Sequence, residues 1–74
     1  MSKIQYKQYE IQASPYIRII DGIQKWAGQY IIRRHMGAKV VSKRAPLKET
    51  FETKEEAIKF SIVAGKVKID EKLL

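Results

Sequence analysis

The spacing of apolar residues changes at Thr53, and that change limits the folds open to this chain. Before it, apolar and polar residues alternate, as in half-buried strands. After it, apolar residues recur every three to four positions, as in an amphipathic helix. Thr53-Lys54-Glu55-Glu56 marks the switch and reads as a capping box. There the Thr53 hydroxyl accepts from the N–H of Glu56, and Glu56 reaches back to that of Thr53. Glu55 and Glu56 also suit the positive end of a helix dipole. A helix over about 54–68 places Ala57, Phe60, Ala64 and Val67 on one stripe, with Ile58 and Ile62 beside it and Val63 between. That face is broad enough to cover a sheet. Gly65 costs about 1 kcal/mol inside a helix and marks either close packing or an early end. The tail from about residue 70 to 74 is expected to fray or to serve as an oligomer contact.

The first part of the chain reads as a run of strands. Residues 4–13 form one stretch of β-type composition, in which Tyr9, Ile11 and Ala13 alternate with Glu10 and Gln12. Ser14-Pro15 interrupts it, because proline cannot donate a ladder hydrogen bond. Residues 16–20 resume the β composition, and Asp21-Gly22 signals a tight turn. The strand at about 24–34 has Trp26, Tyr30, Ile32 and Arg34 on one face and Ala27, Gln29, Ile31 and Arg33 on the other. Trp26 and Tyr30 are expected to pack under the helix with Ile32, leaving Gln29, Ile31 and Arg33 outward and Arg34 past the helix edge. Gly28 in mid-strand signals a bulge or a close neighbour. Met36-Gly37-Ala38 reads as a hairpin loop, and a strand over about 39–45 returns from it until Pro46 ends or kinks it. Residues 47–51 extend that strand or form another. The expected architecture is α+β: a three- to four-stranded antiparallel β-meander, covered on one face by a C-terminal α-helix.

Charge divides the chain in the same place. Residues 1–48 hold ten Lys and Arg against Glu10 and Asp21, a net of +8, and residues 49–74 hold five Lys against six acids, a net of −1. Together they give the chain its +7. No acid lies between Asp21 and Glu49, a stretch that contains Lys25, Arg33, Arg34, Lys39, Lys43, Arg44 and Lys48. A one-sign field within a folded domain repels itself and attracts polyanions. The chain is 74 residues long and 45% hydrophobic, which fits one folded domain and is too apolar for a disordered basic tail. Cysteine is absent, which excludes a disulfide scaffold and Cys-ligated zinc. No apolar run approaches the roughly 20 residues of a membrane span. The start, MSKIQYKQYE, has neither the apolar core nor the cleavage site of a signal peptide, so a cytoplasmic location is expected.

Catalytic arrangements find little support. The one histidine, His35, falls in a predicted loop, and no nucleophile, base and orienting group share a motif. Glu55 and Glu56 are accounted for by the helix cap. The four glycines, at 22, 28, 37 and 65, form no phosphate loop. The chain is therefore expected to be no enzyme and to need no cofactor, metal or small-molecule substrate. Polyanion binding is better supplied. Cations displace counterions from phosphates, and Arg forks and aromatic rings recognise or stack on bases. The candidate binding residues are Arg18, Lys25, Arg33, Arg34, Lys39, Lys43, Arg44 and Lys48, with Tyr6, Tyr9, Tyr16, Trp26 and Tyr30 interleaved.

Three resemblances bear on this reading. Lys25-Trp26-Ala27, the basic hairpin to Arg44, and Thr50-Phe51-Glu52-Thr53-Lys54-Glu55-Glu56-Ala57 resemble the sheet-plus-helix DNA-binding domains of phage integrase arms and plant ethylene-response factors. That resemblance implies a sheet face lying in the major groove and points to Arg18, Trp26, Arg33 and Arg44 as contacts. It covers under half of the chain, and residues 1–14 have no counterpart in those families. The order of strands followed by a helix is similar to the small dimeric single-strand-binding transcriptional coactivators, which implies a basic sheet and hairpin on unpaired DNA and dimerising helices. The aspartate-glycine turn, the Trp strand, the Phe51 to Ala57 cap and Ile69-Asp70 resemble short bacterial proteins of unknown function, which implies a fold and no activity. The expected function is a small nucleic-acid-binding module, single- or double-stranded nucleic acid being left open. The alternative is a homo-oligomeric or protein-interaction module with a basic surface; no membrane partner is expected.

Overall fold

The computed structural model describes residues 3–71. Its strands are β1 (Lys3–Tyr6), β2 (Tyr9–Ala13), β3 (Tyr16–Ile20), β4 (Ile23–Met36) and β5 (Lys39–Phe51), and they precede one helix, α1 (Lys54–Asp70). The α+β class and the antiparallel sheet with a C-terminal helix are as expected. The strand at 4–13 is not one strand but a hairpin. Lys7 takes a left-handed φ of 55°, and the chain reverses so that Tyr6 pairs with Tyr9 and Ile4 with Ile11. The signal is a slip of phase: apolar residues occupy even positions through Ile4 and Tyr6, then odd positions from Tyr9 to Ala13.

β2 and β3 form two halves of one row. β2 pairs with the second half of β4, from Glu10↔Arg33 to Ala13↔Tyr30, and β3 with its first half, from Tyr16↔Ala27 to Ile20↔Ile23. The break between them falls at Ser14-Pro15, where the Ser14 N–H donates to the Gln29 carbonyl at 2.8 Å. Asp21 and Gly22 close the β3–β4 turn with φ of 53° and 78°. Two positive φ values suit the right-handed twist of a two-residue hairpin. β5 lies along the other edge of β4 and passes Pro46, reaching Phe51 rather than ending near 45. It accommodates the proline by looping out: Ala27 pairs with Thr50 and Gln29 with Pro46, so 47–49 stand opposite Gly28 alone.

The helix begins where the sequence predicts, and among the described residues the Thr53 half of the expected capping box is formed without a return hydrogen bond from the Glu56 side chain. The Thr53 side chain accepts from the Glu56 N–H at 3.1 Å. It runs to Asp70, two residues past the expected end; positions 72–74 of the expected tail lie outside the described residues. The buried stripe differs from the expected one. Ala57, Ser61, Gly65 and Ile69, spaced by four, face the sheet, whereas Phe60 and Val67 are 44% and 50% exposed. Small side chains let the helix axis approach the strands, and two glycines allow the closest points. A Cβ on Gly65 would lie 2.7 Å from Ile11 Cγ2, and one on Gly28 would lie 2.7 Å from Leu47 Cδ1 and 2.9 Å from Ser61 Oγ. Against this seam pack Ile11, Tyr30, Ile32 and Ile69. The far end of the helix is tied down by Asp70, which accepts from the Tyr6 hydroxyl at 3.0 Å and the Lys7 ammonium at 2.6 Å.

Two predictions follow from this packing. Gly65→Ala gains roughly 1 kcal/mol of helix propensity but forces a methyl into the fully buried Ile11, an overpacking cost of about 1–3 kcal/mol. The clash wins because Ile11 is β-branched and has nowhere to turn, so urea denaturation should show a net loss of about 1 kcal/mol. The loss should disappear in an Ile11→Ala background. The second prediction concerns pH. The hydrogen bond from Lys7, then that from Tyr6, hold Asp70 below the usual carboxylate range, and Asp70 in turn raises Lys7. The stabilisation is therefore complete above the unfolded Asp value of about 3.9 and fades as pH falls through the lowered native value. Lys7 sets the opposite limit, since its share is lost as pH rises through its raised value. The urea midpoints of wild type and Asp70→Asn should differ near pH 7 and converge toward pH 2; a constant gap would refute the clamp.

Candidate nucleic-acid interface

Strand β4 spans the molecule and fixes where each cation lies. At about 3.3 Å per residue, its 14 residues reach a length comparable with the molecule's longest extent of 46 Å. Alternation along it separates two faces. Trp26, Gly28, Tyr30, Ile32 and Arg34 turn toward the helix layer; Ala27, Gln29, Ile31, Arg33 and His35 turn to the other face, where Ala27 is buried and Ile31 is buried too, rather than outward as expected. The cross-strand partners extend these faces onto β5, with Arg44 opposite Ile31 and Ser42 opposite Arg33 on the open side. Lys43 opposite Ile32 and Val41 opposite Arg34 continue the helix side.

The last pairing of β2 with β4 is Glu10↔Arg33. Beyond it, β4 and β5 continue as a two-stranded arm closed by Gly37, which has a φ of 65°. Residues 35–44 are exposed without exception. The arm and its root gather five predicted residues: Arg34 and Lys39 on the arm itself, facing the helix side, and at its root, where β2 still pairs with β4, Lys43 on that side with Arg33 and Arg44 on the open face. Lys48 sits in the looped-out part of β5. Arg18 faces Lys25 at the opposite end of β4, eight residues or roughly 26 Å from Arg33. Lys25 is engaged by Glu52. The structure therefore does not gather the eight cations on one sheet face. Five of them surround the arm and its root, because the register puts consecutive residues of β4 and of β5 on opposite sides.

The two sides of the arm differ electrostatically. On the open face, Glu10 lies 3.3 Å from Lys3, 3.7 Å from Arg33 and 3.9 Å from His35. Arg33 also donates to Gln12 Oε1 at 2.7 Å. His35 lies within β4 rather than in a loop, with its side chain 64% exposed. On the helix side, Arg34 lies over the Tyr9 ring at 5.3 Å and donates to the Tyr9 hydroxyl at 3.3 Å. Among the described residues, no carboxylate pairs with Arg34, Lys39, Lys43 or Arg44 within 4.0 Å. Most of the aromatic residues face inward. Tyr6, Tyr9 and Tyr30 pack with the core cluster, and Trp26 lies under Lys54 of the helix. Trp26 is thus not on the open face, contrary to what the integrase-arm resemblance implies; Tyr16 is the exposed aromatic there, far from the arm.

A cleft that the sequence pattern does not reveal lies at the root of the arm. It holds about 250 Å³ and is lined by Tyr9, Ile32, Arg34, Met36, Val41, Ser42 and Lys43. Residues 32–36 and 41–43 supply six of its seven lining residues, and the seventh, Tyr9, depends on the unpredicted β1–β2 turn. Among the described residues, no group of three or more His, Cys, Asp or Glu side chains could hold a metal ion, and no helix is long and apolar enough to cross a membrane. Comparison with protein-family models, curated proteins and solved structures found no match.

Proposed function

We propose that this chain is a small non-enzymatic module that binds nucleic acid with the β4–β5 arm. It implies a cytoplasmic site of action. The observation that carries the reading is the arm together with its root, where the ends of β4 and β5 present cations on both faces, drawn from a stretch of sequence without an acid. Bringing five like charges together opposes folding, and phosphates relieve that repulsion while releasing their own counterions. The open-face cations are partly neutralised by Glu10, so the helix side and Arg44 dominate the interaction.

With five phosphate contacts, affinity should fall about a hundredfold between 50 and 200 mM salt on a single strand, and more on a duplex. Replacing Lys43 and Arg44 together by Ala should lower the log–log salt slope by about 1.4–1.8. Lys25→Ala, which removes a cation already paired with Glu52, should leave the slope nearly unchanged. Salt-independent binding, or equal slopes for all three proteins, counts against the proposal.

A second reading, self-association, draws on the other end of the molecule. The β3–β4 hairpin exposes Ile17, Ile19, Ile20 and Ile23, with Ile19 72% exposed. Among the described residues β3 pairs with β4 alone, which leaves an apolar edge open to another strand. Light scattering should then show a dimer that Ile19→Lys dissociates; a wild-type monomer at high concentration excludes it.

A further inference from the structure

Each cross-strand pair on the helix side of the arm and its root joins one apolar residue to one cation: Ile32 with Lys43, Arg34 with Val41, and Met36 with Lys39. The apolar member changes strand at every step, so charge and apolar surface form a checkerboard. Pure phosphate binding needs only the charges. Met36 and Val41 are nevertheless left 51% and 48% exposed among them, at the wall of a concave cleft whose inner end is the buried Ile32. Drug-sized ligands occupy pockets of about 300–1,000 Å³, so a cleft near 250 Å³ suits a single ring system. Arg34 holds a planar guanidinium at that cleft, steadied over Tyr9, and Lys43 supplies a second cation. No carboxylate lines it.

The geometry points to this cleft as the seat of one unpaired nucleobase, with the adjoining phosphates on Arg34, Lys43 and Lys39. The inference rests on the nucleic-acid reading and deepens it by naming the strand state. A base within a duplex has its flat faces covered by its neighbours and cannot enter; a splayed base offers both, and recognition of single strands uses such slots and Arg planes. The alternation of ring and phosphate along a single strand also matches the alternation of apolar residue and cation on the arm. An anionic bilayer shares that chemistry but wants a convex apolar face, whereas this surface is recessed.

The test is fluorescence anisotropy on the full chain with three labelled probes of equal length: single-stranded oligothymidylate, the same strand with abasic sites, and a duplex. The intact single strand should bind from fivefold to a hundredfold more tightly than the abasic strand, the range set by stacking of one base, and more tightly than the duplex. Val41→Asn removes the apolar wall of the cleft without altering charge or adding a ring, and should abolish the preference while leaving abasic binding unchanged. Met36→Gln, at an exposed site, should reduce the preference and serves if Val41→Asn misfolds by circular dichroism. Equal binding of intact and abasic strands overturns the cleft assignment and leaves the nucleic-acid reading standing. Failure of every oligonucleotide to bind overturns both. So does binding confined to vesicles rich in phosphatidylglycerol, which would make the arm a membrane contact.

Discussion

The structure turns on Gly28 and Gln29, at the one place where the β4–β5 pairing is irregular. The Gln29 carbonyl takes the Ser14 N–H, next to a proline that interrupts the β2–β3 row. The Gln29 N–H donates at 3.0 Å to Ser61 Oγ, and Ser61 in turn donates to the Ala57 carbonyl at 2.6 Å. A fully buried hydroxyl thus links helix to sheet with both its donor and its acceptor used. Removing it would leave a buried amide unpaired, which costs more than the bond itself is worth. Gly28 is what lets Ser61 come so near, since any Cβ there would occupy the space of Leu47 and of the hydroxyl. The irregularity of β5 is part of the same device. Looping out 47–49 opposite Gly28 brings Leu47 against the core cluster.

Anchoring the helix at this point determines what it covers. From Ser61 it runs to Ile69 and Asp70, where Lys7 and Tyr6 hold its end against the β1–β2 turn. The helix ends there, and β4 continues. Whatever lies beyond Arg33 has no second layer, so it must be stable as a two-stranded ribbon. That is a marginal unit in water, supported at its root by Tyr9 against Arg34 and by Glu10 beside Arg33 and His35. The arm is therefore the natural place for polar and charged residues that would be costly to bury. Its position follows from a steric choice made about five residues away along the strand.

Much of this was legible in the sequence, and the limits have physical causes. The helix cap, the Asp21-Gly22 turn and the alternation on β4 are local, and each appears where the sequence predicts it. The β1–β2 hairpin was missed because Lys7-Gln8 lacks the usual turn residues, and only the change of apolar phase betrays it. The helix stripe was misjudged because hydrophobicity ranks Phe60 and Val67 above Ser61 and Gly65. Close packing reverses that order where a backbone must approach. Gly28 and Gly65 were recognised singly as marks of proximity, but nothing local says that they belong to one seam. The cations were identified as a group, yet their partition into an arm, a distant Arg18 and a neutralised Lys25 depends on register and on Glu52, which are properties of the assembled sheet.

The same register explains why the arm's two sides have different capacities. Glu10 and Gln12 lie on the open face of β2, so they reach Arg33 and fix its guanidinium in place. One residue further, Arg34 points to the opposite side and meets Tyr9 instead, an aromatic face that steadies the guanidinium without cancelling its charge. Adjacent arginines of one strand are thus given different tasks by the alternation alone. Arg33 joins β4 to β2 at the point where the sheet narrows. Arg34 has no carboxylate partner within 4.0 Å among the described residues and lies beside an apolar cleft, where lower local polarity strengthens its attraction for an anion. Exchanging the environments of the two would need only a one-residue slip of β2 against β4. The burial of Ile11 against Ile32 forbids that slip, because it would turn the apolar side of β2 out to solvent.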